Sequence, residues 1–333
     1  MNNNIFLKDI SVVVQGPIDK IVTLKCLKSI KQYLPNAEII LSTWEGSNID
    51  ILDGLYDKVV LNKDPGFSFY SKDKNSKLNN VNRMIVSSKA GLDLVTTKYV
   101  LKFRTDLYLT GNSFLKYFNK FNSYNNEHLR VAEKRILACA KYSRNPNCKD
   151  NPYPMHPSDI IFFGLTSDVK KVYDVPLMND EDANYFKHHK NTFNNNMLSR
   201  YLPEQHIWLN YLNYKKCNNA VDCNKENIKD SELSFANNLV ILSKFQLNIR
   251  SDKKDFFSSL PHGCYTHYSW LKMYKKYSDN NYSISTKDKI QNIIITIYDR
   301  RFLVKRFFYQ MKKNDKKTVI KILKIPVYIK KYK

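Results

Sequence analysis

Short β-branched runs recur through the first 110 residues and alternate with helical or loop segments, and few folds accept that pattern. ISVVVQ at 10–15 ends in Gly16-Pro17, and apolar residues then recur at helical spacing from Thr23 to Leu34, before Pro35. AEIILSTW follows at 37–44, and DKVVLN at 57–62 runs into the turn Asp64-Pro65-Gly66. Val81 to Val95 is again helical in spacing, and Lys98 to Leu109 is the longest strand-like stretch. Taken in order these are βαβ units, which predict an α/β fold with a mixed, mostly parallel sheet flanked by helices. Ligands of such sheets sit beyond the carboxyl ends of the strands. That places Gln15, Trp44, Glu45, Asp64, Arg104 and Asp106 at the expected binding edge.

The second half is less regular. Residues 134–157 mix charge with Asn and Pro, which predicts a long functional loop. Ser158–Leu165 returns to strand character and Ser167–Tyr173 to helical character, while 179–198 is polar. Pro203 opens an amphipathic helix carrying HIWLNYLNY. NNLVILS and FQLNIR read as late strands or edge pieces.

Charge bounds the partners. Lys and Arg number 54 against 31 Asp and Glu, a net charge of +23, which favours polyanionic partners. From Arg300 to Lys333 thirteen Lys and Arg face the single acid Asp315, a surplus of twelve. Composition thus divides the chain into a domain over 1–283 and a basic helical C-terminal tail over 284–333. The tail reads either as an amphipathic anchor on an anionic membrane surface or as a solvated helix. No apolar run reaches the ~18 residues of a membrane span, and the N-terminus lacks a basic segment followed by a long apolar run. The six cysteines form no CxxC pair, so neither a zinc ribbon nor a dense disulfide framework is suggested. The expected location is cytoplasmic and peripheral, on the inner face of the membrane.

Sugar transfer from a nucleotide donor needs a pocket for the base, neutralisation of the diphosphate leaving group, and a group that readies the acceptor hydroxyl. Asp106, at a strand end, can hold a divalent cation that bridges two phosphates. Arg104, two residues earlier, shares its face and either meets a phosphate or forms a structural ion pair with Asp106. Gln15 offers an amide and Gly16 close backbone approach, with Pro17 beside them, while Trp44 offers a stacking face and Glu45 an acceptor. His262 and His267, in PHGCYTHYSW, are candidates to complete a metal site with Asp106. Glu204 heads a helix, where the dipole should lower its pKa and suit it to act as a base; Asp159 is the competing carboxylate.

Several stretches in one order resemble the WavE family, associated with bacterial lipopolysaccharide and surface-polysaccharide synthesis. They are VVVQGPI at 12–18, EIILSTWEGS at 38–47, DPG at 64–66, NNVNRMIVSSKAGL at 79–92, KFRTDLYL at 102–109, HPSDIIFFG at 156–164 and PEQHIWL at 203–209. The resemblance implies a GT-A-like glycosyltransferase whose nucleotide-binding sheet ends in a DxD motif. Asp106 matches the second acid of that motif, and Arg104 stands where the first would be. A Mn²⁺ or Mg²⁺ cofactor is implied by the motif, but Arg104 itself supplies positive charge to a diphosphate. Asn80, Asn82 and Arg83 fall where such enzymes contact donor phosphate or sugar. Glu204 matches the acid heading the acceptor-side helix, the usual base of inverting members, and His262 or His267 the late histidine some members use on the metal.

The implied function is transfer of a sugar from a nucleotide-sugar donor to a lipid-linked or lipopolysaccharide glycan, without a nucleic-acid partner. A CDP-donor polyol-phosphate transferase uses the same nucleotide site. A glycan- or nucleic-acid-binding protein is the non-enzymatic alternative.

Overall fold

The computed structural model describes residues 5–69, 71–72, 78–148, 152–191, 196–253, 256–257, 263–299, 309–313, 317–322 and 325–331. Its chain divides into two compact units, Met1–Asp252 with Pro261–Ser283, and Lys253–Leu260 with Ile284–Lys333.

A seven-stranded sheet organises the first unit. Its strands in chain order are β1 (Ile10–Gln15), β2 (Glu38–Trp44), β3 (Lys58–Asn62), β4 (Tyr99–Arg104), β5 (Ile136–Cys139), β6 (Phe162–Leu165) and β7 (Leu239–Leu242). They lie in the order β7-β5-β6-β4-β1-β2-β3. β6 alone runs antiparallel to its neighbours β4 and β5, so the other six share one carboxyl edge. β1 is an interior strand, and all six of its residues are buried. Its unbroken Val-rich run is what a strand covered on both faces requires.

Helices cover the sheet: α1 (Lys20–Tyr33), α2 (Val81–Asp93), α3 (Thr166–Tyr173), α4 (Pro203–Tyr211), α5 (Lys225–Asn238) and α6 (His267–Tyr277). Asp19 caps α1 by accepting from the backbone N–H groups of Ile21 and Val22. α2 lies so close to the sheet that a Cβ at Gly91 would stand 2.4 Å from Val13 Cγ1 and 3.0 Å from Ser42 Cβ. Only glycine permits that approach.

Three sequence expectations need correction. The run Lys98–Leu109 is not one strand: β4 stops at Arg104, and Tyr108–Leu109 pairs antiparallel with Ile249–Arg250. The chain leaves the sheet because Thr105 donates its N–H to Gln15 O and its hydroxyl to Pro17 O, after which Leu107 N–H closes a turn onto Arg104 O. The loop foreseen over 134–157 contains β5 at its start, a four-residue strand too short to declare a period. In FQLNIR only Ile249–Arg250 is strand; Lys244–Leu247 is a helical turn capped by Ser243.

The second unit contains α7 (Thr286–Asp299), but the tail is not helical throughout. Tyr309–Lys313, Lys317–Ile322 and Ile325–Lys331 form an antiparallel three-stranded sheet. KTVIKI and IPVYIKK are rich in β-branched residues, which suits strands.

Candidate active site

The parallel arrangement brings Gln15, Trp44 and Arg104 to one carboxyl edge, with Arg104 directly across from Gln15 in register. Gly16 follows with φ 127°, and a Cβ there would stand 2.9 Å from Thr105 Oγ1. The strand-end turn and the β4 exit therefore fit only around glycine.

Arg104 and Asp106 form a two-pronged pair. Nε and Nη2 of the arginine donate to the two carboxylate oxygens at 2.9 and 2.7 Å. Burial disfavours charge on Arg104, but Asp106, with help from Asp159 and Glu204, outweighs it and raises the guanidinium pKa further. The Arg104 side chain keeps 28% of its surface exposed against 10% for Asp106, so the cation is the more accessible partner.

Lys102 lies one pleat deeper on the same face of β4 and is fully buried. Its Nζ donates to the Asp159 carbonyl oxygen at 2.5 Å and stands 3.7 Å from Asp159 Oδ2. Burial lowers its pKa to about 8, opposed by Asp159. Asp159 precedes β6, whose reversed direction delivers the strand's beginning to the carboxyl edge of the others.

Glu204 occupies the first turn of α4, which Gln205 fastens by donating to Pro154 O and accepting from Leu202 N–H. The expected lowering of its pKa by the helix N-terminus is reversed. Burial, and next the Asp159 carboxylate, raise it well above the usual carboxylate range, against the opposing charges of Arg144 and Arg104. Desolvation and a like charge outweigh the partial charge of a helix end. His156 Nε2 faces Glu204 Oε2 at 3.4 Å. Burial, with Arg144, depresses the imidazole to about 3, so it is neutral at physiological pH. One edge of the sheet thus gathers a guanidinium, a buried ammonium, three carboxyl groups and a neutral imidazole.

The other expected donor contacts are more engaged with the protein. Gln15 is buried, and its side-chain oxygen accepts from Ser87 Oγ at 2.8 Å. Trp44 is half-buried and Glu45 exposed at the end of β2. Arg83 forks onto Asp64 at 2.7 and 2.5 Å and donates to Asn80 Oδ1, which ties the Asp64-Pro65-Gly66 turn to α2. Asn82 exchanges two hydrogen bonds with the backbone of Met178, at 3.0 and 2.8 Å. It stitches α2 to the segment after α3.

The residues do not fit a pre-built cation site. Both Asp106 oxygens are held by Arg104, and no group of three or more His, Cys, Asp or Glu among the described residues is arranged to hold a metal. His267 lies away from Asp106: its Nδ1 bonds Ile241 O of β7 at 2.8 Å, and its ring stacks on Trp270. β7 and β4 are three strand spacings apart, roughly 14 Å. His262 lies outside the described residues.

Sequence reasoning missed Lys102, His156 and Arg144. Lys102 carried a signal, an ammonium inside a run otherwise fit for burial. His156 and Arg144 carried none, because each reaches Glu204 only through the fold.

A family model described as WavE lipopolysaccharide synthesis matches residues 10–303, most of the chain. No curated protein matches it.

Proposed function

From the membership of this chain in the WavE lipopolysaccharide synthesis family, we propose that it is a glycosyltransferase acting from a nucleotide-sugar donor onto a lipid-linked or lipopolysaccharide glycan. The observation that carries this reading is the gathering of Arg104, Asp106, Asp159 and Glu204 at the carboxyl edge of a GT-A-like sheet. An arginine held at the mouth of the edge stands near a carboxylate with a raised pKa, and those are the two charges the reaction needs.

The steps follow from the positions. The donor lies across Gln15, Gly16 and Pro17, with Trp44 and Glu45 flanking its base and ribose. The acceptor hydroxyl oxygen forms a bond to the anomeric carbon of the sugar. Its proton passes to the ionised Glu204 carboxylate, and the bond from the anomeric carbon to the phosphate oxygen breaks. The electron pair leaves on the nucleoside diphosphate, where Arg104 opposes the developing charge. Asp106 orients the arginine, and Lys102 anchors the Asp159 loop. Glu204 suits the proton step because a base works best when its pKa lies near the working pH. Direct displacement would invert the anomeric centre.

A divalent cation, when bound, would neutralise diphosphate charge; with Asp106 committed to Arg104, no step here is routed through one. The supporting experiment is a panel of nucleotide sugars incubated with a lipid-linked acceptor and followed by mass. An acceptor gain of one sugar residue, with release of a nucleoside diphosphate, fits the proposal. A gain that includes a phosphoryl group would assign the chemistry to polyol-phosphate transfer instead.

The proposed location is the inner surface of the cytoplasmic membrane. α7 exposes Ile290, Ile293, Ile294 and Ile297 at helical spacing, each at least half exposed, and Val327 and Ile329 are exposed on the last strand. An apolar stripe combined with the thirteen basic residues of 300–333 suits insertion at an anionic interface. No described helix is long and apolar enough to cross a membrane.

A further inference from the structure

Arg144 adjoins His156, the neighbour of the candidate base, through its backbone N–H and carries an unused donor. Its Nε is buried and meets no hydrogen-bond acceptor in the structure, and a buried guanidinium donor calls for a partner. Its charge acts on both Glu204 and His156. Neither takes it as a partner: Glu204 Oε2 faces the imidazole of His156 instead.

The segment that presents Arg144 is firmly held. Arg144 N–H donates to His156 O at 2.9 Å, Asn145 N–H to Gly263 O at 2.8 Å and Tyr265 N–H to Ser143 O at 2.8 Å. Ser158 N–H donates to Ser143 Oγ at 3.1 Å, which fastens the same segment to the His156–Asp159 loop. Two non-glycine residues nearby adopt left-handed backbone, Tyr142 at φ 71° and Met155 at φ 55°. Such conformations persist where the surroundings dictate them and are concentrated at functional sites.

The contrast with Arg104 decides what Arg144 does. Arg104 spends two of its donors on Asp106, whereas Arg144 is only half-buried and leaves its Nε without an acceptor. A planar guanidinium matches the oxygens of a phosphate. We propose that Arg144 receives a phosphate oxyanion of the substrate beside Glu204. This rests on the glycosyltransfer reading and deepens it. The phosphate belongs either to the nucleoside diphosphate of the donor or to the diphosphate of a lipid-linked acceptor.

Calorimetric titration of the full chain distinguishes these sources. The probes are UDP, CDP, the nucleosides uridine and cytidine, and geranyl diphosphate, against wild type, Arg144→Ala and Arg144→Lys. Loss of a charge-assisted contact should weaken the responsive diphosphate by about tenfold to a hundredfold in Arg144→Ala. Arg144→Lys should recover part of the loss, nucleoside affinity should not change, and the thermal midpoint should match wild type. The diphosphate that responds names the source. Wild type and Arg144→Ala agreeing within twofold for every diphosphate that wild type binds would overturn the role of Arg144 and leave the transfer reading intact. Wild type binding none of the diphosphates would overturn both.

Discussion

Arg104 grips Asp106 through two parallel hydrogen bonds, 2.9 and 2.7 Å long, across a turn of two residues. The pair fixes the direction of a guanidinium at the mouth of the sheet edge, and lysine, with one compact ammonium, lacks the fork to reproduce it. Arg104→Lys should therefore retain charge and lose orientation. In steady-state kinetics kcat should fall about tenfold to a hundredfold, in line with loss of a charge-assisted hydrogen bond. Unchanged kcat would show that orientation of Arg104 is immaterial.

Activity should rise with pH, because Glu204 accepts a proton only when ionised and its pKa is raised by burial and Asp159. The kcat profile should climb from pH 6 towards alkaline pH, and Asp159→Asn, which removes the like charge, should move the climb to lower pH. A profile that Asp159→Asn leaves in place would argue against the coupling.

Stability should respond to acid through His156. Its folded pKa is depressed to about 3, against an unfolded value of about 6.5. The folded state therefore binds fewer protons, and its stabilisation is present above the unfolded value and lost as pH falls towards the folded one. One such group contributes a slope of about 1.4 kcal/mol per pH unit within that window. Denaturant unfolding between pH 6.5 and 5 should be less pH-dependent for His156→Gln than for wild type by about that amount.

Asn82→Ala should act on the fold. It removes both hydrogen bonds to Met178, worth about 1–3 kcal/mol together. Gly91→Ala should cost about 1–3 kcal/mol through overpacking against Val13 and Ser42. Thermal unfolding measures both, and nucleotide affinity of the folded Asn82→Ala protein shows whether the residue also touches the donor.

The N-terminal half was legible because β1, β2 and β4 are largely apolar runs buried on both faces and its breaks are glycine and proline. α5 was not, because its inner face is polar. Asn227, Ser231, Ser234, Asn237 and Asn238 are buried there, satisfied by bonds such as Asn237 Nδ2 to Asn126 O and Asn238 Nδ2 to Leu129 O. Apolar periodicity cannot report a helix buried through amide hydrogen bonds. Of the site, Arg104, Asp106, Asp159 and Glu204 were identifiable as charges at element ends. Their mutual effects were not: the rise in the pKa of Glu204 comes from burial and from a carboxylate 45 positions earlier, and the helix end that sequence reveals is the weaker influence. The strands of the tail went unread because interleaved Lys and apolar residues suit an amphipathic helix as well as a strand, and the turn-type pair Asn314-Asp315 was passed over.

Deletion of residues 285–333 should release the protein from vesicles containing anionic lipid in a cosedimentation assay. Binding retained by the shortened chain would place the membrane contact elsewhere.

The central claim is that this edge of the sheet transfers a sugar with Glu204 taking the acceptor proton. Its most direct measurement is product formation from a nucleotide sugar by wild type and Glu204→Gln, with nucleotide affinity determined in parallel. The account predicts sugar-extended acceptor from wild type, and product formation lowered at least a hundredfold in Glu204→Gln, a loss of about 3 kcal/mol in transition-state stabilisation, with nucleotide affinity preserved. Transfer by Glu204→Gln at the wild-type rate would contradict it.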